Sequence, residues 1–273
     1  MTSVAPAAPR ADSASGALAA FAAQTFVIAE MEVRKLLRDP TELVSRAVQP
    51  VLWLLVFGQV FTRTHAIPTG ELSYLEFMAP GVLAQGVLFT AIFYGIGVIW
   101  ERDLGIVHKL LASPAPRASL VLGKALAAGA RALPQAIIIC MLAAALGLRL
   151  ELAPGALVAM LVFVMLGSAA FATFSLMVAC IVKTRERFMG IGQLLTMPLF
   201  FASNAIYPLD IMPGWLRVVA RVNPLSYLVD GLRATMIHGG TTHFGLGADA
   251  GVILLLLTVL VLAAARLYPG LAR

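Results

Sequence analysis

The stretch Val98 to Ala128 reads VIWERDLGIVHKLLASPAPRASLVLGKALAA and contains six charged side chains and a histidine, flanked by two long apolar runs. Drawn as a helix at about 100° per residue, its first part divides into two faces. The apolar face carries Leu104, Ile106, Val107, Leu110 and Leu111. The polar face carries Glu101, Arg102, Gly105, His108 and Lys109. This pattern predicts a helix over Glu101 to Ala112 that lies along a membrane surface or docks into a groove of a partner protein.

The composition predicts an all-α membrane protein. Hydrophobic residues make up 60% of the chain and the mean hydropathy is +0.91. Uncharged runs such as Gly251 to Ala265 leave no polar face for water, which argues against a soluble helical protein. A transmembrane helix needs about 20 apolar residues. We predict six such spans, at about 43–61, 78–99, 121–147, 155–182, 189–208 and 250–267.

The distribution of Lys and Arg predicts the orientation. With the N-terminus inside, fourteen of the twenty Lys and Arg residues fall in segments facing the cytosol and five in outer segments. Both termini are therefore expected in the cytosol. The net charge of +6 follows from this bias and from the anionic inner leaflet, so no nucleic-acid partner is expected.

The N-terminal region divides into two predicted parts. Residues 1–17 are rich in Ala, Pro and Ser and predict a disordered cytosolic tail. Residues 18–39 predict an interfacial amphipathic helix that Asp39-Pro40 ends. Its apolar sector contains Leu18, Ala22, Phe26, Ala29, Val33, Leu36 and Leu37. The transmembrane domain is predicted over 40–273.

The segment between the fifth and sixth spans predicts two short helices. Ile211 to Val222 and Leu225 to Ile237 are each too short to cross a membrane, and Asn223 is placed to cap the second before Pro224. We expect both to dip into the outer leaflet and return as an outer gate. The alternative is an exposed loop with a surface helix. The gate residues are Trp215, Asn223, Pro224, Tyr227, Asp230 and Arg233, the last two spaced to pair.

The sequence does not decide the roles of the polar residues within the predicted spans. Arg131 is expected to reach the inner interface with its guanidinium. Cys140 and Cys180 are expected to be small core residues, forming neither a disulfide nor a metal pair. The uncharged polar side chains either line a pathway or bond between helices: Gln49, Gln59, Gln85, Gln135, Gln193 and Asn204.

Two motifs carry a resemblance to the membrane subunit of ABC-2 type exporters. The first follows the pattern E-x-x-x-G-x-x-x-x-L-L-x-x-P…G-K from Glu101 to Lys124, with His108 where many relatives have an acid. The second is P-G-W-L from Pro213 followed by N-P-L-S-Y-L-V-D-G-L-R from Asn223. Gln49-Pro50 and Trp53 through Gln59 most resemble daunorubicin-type drug exporter permeases.

The resemblance implies a transport subunit that works with a separate ABC ATPase in a bacterial plasma membrane. The chain has no G-x-x-x-x-G-K-[ST] phosphate loop, so it is expected to bind no cofactor, with ATP and Mg²⁺ held by the partner. The family architecture implies two ATPase copies and a second copy of this chain or a paralogous permease, surrounded by membrane lipids. The coupling residues would then be Glu101, Arg102, Gly105, His108 and Lys109.

The expected function is ATP-driven export of an amphiphilic or hydrophobic drug or lipid. Aromatic residues are only 8% of the chain, which disfavours a path on which sugars stack. Export of a lipid-linked polysaccharide or glycolipid remains the alternative. An ion-coupled secondary transporter would need an ion-coupling site or an inverted repeat, and neither is evident. An intramembrane enzyme is disfavoured because the sequence has no H-E-x-x-H and no G-x-S-x-G motif.

Overall fold

The computed structural model describes residues 14–36, 48–64, 67–70, 72–113, 115–182 and 184–272. This part of the chain is helical and contains no strand, only one isolated antiparallel bridge between Leu150 and Ile237. The all-α prediction is confirmed. Most of the predicted tail at 1–17 lies outside the described residues, and the first helix begins at Ala14.

The helices follow one another with short connections. In chain order they are α1 (Ala14–Leu36), α2 (48–52), a π-helical turn (Trp53–Gly58), α3 (Gln59–Thr64), α4 (Tyr74–Asp103), α5 (Ile106–Leu111), α6 (Arg117–Ala145), α7 (Pro154–Ile181), α8 (Arg185–Phe201), a 3₁₀ turn (Leu209–Ile211), α9 (Gly214–Val222), α10 (Pro224–Met236), α11 (Leu246–Leu267) and a final 3₁₀ turn (Tyr268–Ala272).

Four of the described helices are long and apolar enough to cross a membrane, judged by length and composition. They are α4, α6, α7 and the continuous helical segment Leu246–Leu271 that begins with α11. The prediction of six spans is not confirmed at its first and fifth windows. The first, 43–61, is partly outside the described residues and corresponds to the shorter apolar helix Val48–Thr62. The fifth, 189–208, corresponds to the 17-residue α8, which ends at Phe201.

Helix α7 lies at the centre of the bundle, because it packs against α4, α6, α10 and α11. Small residues permit these close contacts. Ser168 on α7 donates a hydrogen bond to the Ala128 carbonyl of α6 at 2.8 Å, and Ser175 bonds the Ile92 carbonyl of α4. Small hydroxyl residues at helix crossings are typical of membrane bundles, since they let backbones approach and supply interhelical bonds.

The two ends of the bundle are built differently. At one end, called the α5 end, α4 finishes at Asp103 and α8 begins at Arg185, and these two side chains are 2.7 Å apart. At the other, called the α10 end, the start of α4 meets the link between α6 and α7, where Arg149 Nε lies 3.0 Å from Glu76 Oε1. The short helices α9 and α10 belong to this second end, where Tyr74 donates to the Ile206 carbonyl.

Helix α1 packs on α6 with a different face from the one predicted. Phe26, placed in the predicted apolar sector, is 68% exposed, whereas Thr25, Ile28 and Glu32 are buried. Gly123 on α6 explains this contact, because a Cβ there would lie 2.7 Å from the Ile28 Cβ. The amphipathic pattern therefore identified the helix but not the side that the bundle covers.

Candidate functional site

The predicted helix from Glu101 to Ala112 is interrupted. Helix α4 continues to Asp103, Leu104 and Gly105 form a turn, and α5 begins at Ile106. Gly105 has φ +72°, a left-handed conformation that glycine adopts without the steric strain of a side chain. The prediction of one continuous helix is wrong, because the periodic apolar face runs through a residue that turns the backbone.

The side chain of Glu101 points into the protein rather than toward a partner. Its Oε2 lies 2.5 Å from Lys124 Nζ on α6, and the Glu101 side chain is only 13% exposed. The prediction that Glu101 belongs to the outward polar face is therefore wrong. The change of direction at Gly105 explains the difference, since the last turn of α4 and the turn of α5 no longer share one axis.

Lys124 is the centre of a buried ion cluster that joins three helices. Its side chain is 1% exposed, and Nζ also lies 3.0 Å from Glu32 Oε1 on α1. Glu32 in turn lies 3.4 Å from an Arg131 guanidinium nitrogen, which also bonds the Glu32 carbonyl at 3.2 Å. Among the residues that the structure describes, two carboxylates face two cations, and such pairing matters because an uncompensated buried charge is strongly destabilising.

Arg131, predicted to reach the inner interface with its guanidinium, contacts α1 and an aromatic ring of α4. Its guanidinium binds α1 through Glu32 and lies 5.4 Å from the centre of the Tyr94 ring, within reach of a cation–π contact. The hydroxyl groups of Tyr94 and Tyr268 are buried without a hydrogen-bond partner among the described residues. The ion cluster is therefore largely buried, with the Tyr94 ring beside the Arg131 guanidinium.

The remaining predicted coupling residues lie on the surface of the α5 end. His108 and Lys109 are exposed on α5, while Val107 is buried and anchors the helix. Arg102 binds Asp103 at 2.8 Å, and the other oxygen of Asp103 binds Arg185 of α8 at 2.7 Å. This exposed surface, which we call the α5 surface, thus links the end of α4 to the start of α8.

Trp100 and Arg185 are part of the α5 surface that the motif analysis missed. The Trp100 ring is half exposed, and the Arg185 guanidinium stacks 4.4 Å from its centre. A flat aromatic ring beside cations is the composition typical of protein contact surfaces, where Trp and Arg are enriched. The contact between Trp100 and Arg185 could not be predicted from the sequence, because the two residues are far apart in the chain and only the packing of α8 on α4 brings their side chains together.

At the α10 end, Asn223 connects three helices. Its backbone ends α9 and its side-chain oxygen caps α10 by accepting from the Leu225 amide at 3.0 Å. Its side-chain nitrogen donates to the carbonyls of Leu199 and Ala202 at the end of α8. The two short helices and the capping role of Asn223 before Pro224 agree with the sequence prediction.

Asp230 and Arg233 are buried and pair at 3.9 Å, as their spacing predicted. Arg233 also donates to the Asn204 carbonyl at 2.8 Å and stacks on the Phe77 ring of α4 at 3.9 Å. Asp230 accepts from the backbone amides of His243 and Phe244. Helix α10 is therefore fixed within the bundle and is not a solvated surface helix.

Helix α9 and the two predicted aromatic gate residues, Trp215 and Tyr227, are more exposed than most of α10. Trp215 is 71% exposed on α9, whereas Tyr227 on α10 stacks on Phe244 at 4.6 Å and donates to the Arg221 carbonyl. The exposed face of α9 also contains Val218 and Val222, so it is apolar. An exposed apolar face on a short helix suits contact with lipid or with another protein.

A surface ion pair closes the same end of the bundle. His238 Nδ1 lies 2.9 Å from Glu151 Oε2, next to the bridge between Leu150 and Ile237. The hydrogen bond from His238, followed by the Ala153 amide, lowers the pKa of the Glu151 carboxyl. The pair joins the α6–α7 link to the segment after α10.

The described residues contain no group of His, Cys, Asp or Glu able to hold a metal ion. Cys140 on α6 and Cys180 on α7 are free thiols, each partly buried.

Comparison with known proteins identifies relatives along most of the chain. Residues 23–237 match the family model described as ABC-2 type transporter. The chain is 30% identical over 220 residues to "Putative transport permease ycf38" of Cyanophora paradoxa, covering 80% of this chain and 76% of that protein. It is 26% identical over 230 residues to the daunorubicin resistance ABC transporter permease protein DrrB1 of Streptomyces coeruleorubidus, covering 84% and 80%.

Nodulation protein J of Rhizobium leguminosarum bv. trifolii is 29% identical over 170 residues, covering 62% of this chain and 64% of that protein. The family match runs from within α1 to the end of α10, and thus includes both the buried ion cluster and the short helix pair. The chain belongs to the ABC-2 type transporter family, whose members are membrane transport subunits that work with separate ABC ATPases.

Proposed function

We propose that this chain is the permease subunit of an ATP-driven exporter that moves an amphiphilic or hydrophobic drug or lipid out of the cytoplasm or inner leaflet. The observation that supports it most is the α5 surface: an exposed group of Trp100, Arg102, Asp103, His108 and Arg185 beside a buried ion cluster. Similarity to a daunorubicin resistance permease favours an amphiphilic cargo.

The α5 surface is the proposed contact with the ATPase. It combines a half-exposed tryptophan and paired charges at the junction of α4 and α8. Glu101 acts from behind this surface, since its bond to Lys124 fixes the last turn of α4 to α6. A movement imposed on α5 by a partner would therefore act on α4, α6 and α1 together. We place this surface in the cytosol, with both termini on the same side of a bacterial plasma membrane.

The complete transporter in this proposal contains two permeases and two ATPases. Two cavities among the described helices hold about 280 and 300 Å³, which is little room for a large amphiphile. In this proposal a second permease, identical or paralogous, completes the pathway. The helix pair α9 and α10 forms its outer gate: α10 is fixed to the bundle by Arg233, and α9 presents Trp215 and its apolar face to the outer leaflet.

Reconstitution tests this function. The chain is co-purified with its ABC ATPase, placed in liposomes, and assayed for ATP-dependent movement of daunorubicin across the membrane. The matched control contains an ATPase whose phosphate-binding lysine is replaced. Transport only with the intact ATPase supports the proposal. Equal transport by both preparations, or transport driven by an ion gradient without ATP, would refute it, and transport of a lipid-linked glycan alone would favour the polysaccharide alternative.

A further inference from the structure

Asp249, in the first turn of α11, has a buried carboxyl group without a partner. The residue is 0% exposed, and neither side-chain oxygen is accessible to solvent or has a hydrogen-bond partner among the described residues. The other acids buried in this part of the chain, Glu32, Glu76 and Asp230, each contact a basic side chain. Asp249 therefore differs from every other buried acid that the structure describes.

The nearest charge acting on Asp249 has the same sign. Asp230 of α10 is close enough to act on the Asp249 carboxyl electrostatically. The Arg233 guanidinium is directed elsewhere, because its nitrogens bond the carbonyls of Phe77 and Asn204 and lie 3.9 Å from Asp230. The described residues thus supply no cation that compensates a charge on Asp249.

The other helices packed against α11 do not change this result. Helix α11 contacts α6, α7 and α10, and α7 contains no charged residue or histidine. The charged residues of α6 are in its first half, toward the α5 end: Arg117, Lys124 and Arg131. At the α10 end, the titratable residues of α10, of the link to α11 and of the α6–α7 link are Tyr227, Asp230, Arg233, His238, His243, Arg149 and Glu151.

An ionised Asp249 would be strongly unfavourable in these surroundings. Removing a carboxylate from water without a counter-ion costs far more than the partial positive charge at the start of a helix returns. Repulsion from Asp230 would add to that cost. A protonated carboxyl group avoids both costs, because it has no net charge.

The position of Asp249 connects it to the proposed outer gate. Asp230 Oδ2 on α10 accepts hydrogen bonds from the backbone amides of His243 at 2.7 Å and Phe244 at 3.0 Å. These two residues directly precede α11, whose first turn contains Asp249. Asp249 therefore lies where the gate helix α10, its link and α11 meet.

We infer that Asp249 is a proton-binding site of the outer gate: it holds a proton while α10 and α11 are packed together, and releases it when α10 moves away and water enters. On release the O–H bond of the carboxyl breaks, its electron pair stays on the Asp249 oxygen, and the proton passes to water outside. Closing takes a proton from the same side, so none crosses the membrane. This inference rests on the proposed outer gate, and it means that acid outside the cell favours the closed gate.

Infrared spectroscopy of the intact permease–ATPase complex tests for the proton directly. A protonated carboxyl group has a C=O band that an ionised carboxylate lacks. At neutral pH the spectrum of wild type minus that of Asp249→Asn should contain this band. Asp210→Asn is the matched control: Asp210 is exposed, and an aspartate in water is ionised at neutral pH, so its difference spectrum should lack the band.

Cysteine labelling tests the connection to the gate. Leu232→Cys, on the buried side of α10, is labelled during ATP turnover with an impermeant maleimide in a background without Cys140 and Cys180. The external pH is varied between about 8 and 6, a range in which an aspartate in water stays ionised. The labelling rate is divided by the rate for the same cysteine in Asp249→Asn, which cancels the pH dependence of the thiol.

This ratio should fall as the external pH falls, by up to about tenfold per pH unit for one linked proton. The reason is that only the aspartate can ionise and so favour the open gate. His243→Gln is the control for histidine titration, since His243 is exposed in the adjoining link and its replacement should leave the dependence unchanged. Asp249→Leu, which also lacks a titratable group, takes the place of Asp249→Asn if the asparagine variant does not fold.

The outcomes separate this inference from the proposed function. Absence of the protonated-carboxyl band, a ratio independent of external pH, or a dependence that disappears in His243→Gln overturns the inference. ATP-dependent transport of daunorubicin is measured in the same preparations. If transport persists and the band is absent, the inference fails and the exporter proposal stands. If transport is absent with an intact ATPase while the band is present and the ratio falls with pH, the exporter proposal fails and the proton site stands.

Discussion

Lys124 Nζ lies 2.5 Å from Glu101 Oε2, so a residue near the start of α6 holds the last turn of α4. Lys124 contacts Glu32 of α1 with the same ammonium group. One side chain therefore links three helices just behind the surface proposed to contact the ATPase. A change in the position of α4 relative to α1 would have to stretch or break these bonds, which gives Lys124 a measurable role in both stability and coupling.

Replacement of Lys124 by Met should destabilise the protein by about 3–5 kcal/mol, because the buried carboxylates of Glu32 and Glu101 would lose the ammonium group that both contact. Thermal unfolding in detergent, followed by size-exclusion chromatography, measures the loss. Lys109→Met is the matched control for stability, since Lys109 is exposed on α5. The double variant Lys124→Met with Glu101→Gln should recover part of the loss, and failure to recover would contradict the charge-balance argument.

Substitution of Gly105 should impair the coupling of the permease to its ATPase without preventing the protein from folding. Valine at φ +72° is strained by on the order of 1–3 kcal/mol, so Gly105→Val should shift or unwind the turn between α4 and α5. Gly105→Asn is the conservative control, because asparagine tolerates this conformation. We expect the valine variant to reach the membrane but to lose most permease-dependent ATPase stimulation, and the asparagine variant to keep it. Full stimulation by the valine variant would refute a role for this turn.

Replacement of Gly123 by Ala should displace α1. The added Cβ would lie 2.8 Å from the Thr25 carbonyl and closer still to Ile28, both parts of a packed helix contact. Limited proteolysis of the N-terminal segment measures the effect, which should be faster cleavage after Gly123→Ala. Gly97→Ala is the control, since a Cβ there meets nothing within 4 Å on the exposed side of α4. Equal cleavage of the two variants would show that α1 does not depend on this contact.

The pair Glu151–His238 predicts a loss of stability in acid. The pKa of Glu151 is lower in the folded protein than in the unfolded chain, so its contribution is present above the unfolded value, about 4.3, and disappears as the pH falls through the lowered value. Comparing the unfolding temperature of wild type with Glu151→Gln between about pH 6 and pH 3 measures this term. The difference should shrink as the pH falls, and a constant difference would contradict the assignment.

Cysteine labelling tests the outer gate. Single cysteines at 215, 218 and 222 replace exposed residues of α9, whereas cysteines at 225, 228 and 232 replace buried residues of α10. With an impermeant maleimide outside the cell, the α10 positions should react slowly in the resting transporter. If all six positions react rapidly, the segment is an open loop and the gate proposal fails.

The long apolar helices were predictable because hydrophobicity and length are properties of a continuous segment. The residues at which these helices begin and end were harder to predict. Helix α4 begins at Tyr74, four residues before the predicted window. It can do so because Ser73 and Glu76 form a capping box and Arg149 neutralises Glu76. A hydropathy window treats Glu76 as an interruption of the apolar segment, because the window does not contain Arg149, the distant residue that pairs with Glu76.

The site was predictable only where it depends on local sequence. Asn223-Pro224 gives a capped helix start, and Asp230 and Arg233 lie one turn apart, so both features followed from spacing alone. The inward direction of the Glu101 side chain could not be predicted from spacing. It depends on a left-handed turn at Gly105 and on Lys124, which is 23 positions away. The partnership of Glu32 with Lys124 spans 92 positions and exists only once α1 packs on α6.

Helix α8 connects the two ends of the bundle through one contact at each of its own ends. Its first residue, Arg185, is ion-paired to Asp103, and its last turn is bonded through the Leu199 carbonyl to Asn223. The whole helix has 17 residues and forms a rod about 26 Å long. A tilt of α8 at the α5 end would therefore pull on the residue shared by α9 and α10. Because it is attached at both ends, α8 could act as a lever between the surface proposed to contact the ATPase and the proposed outer gate.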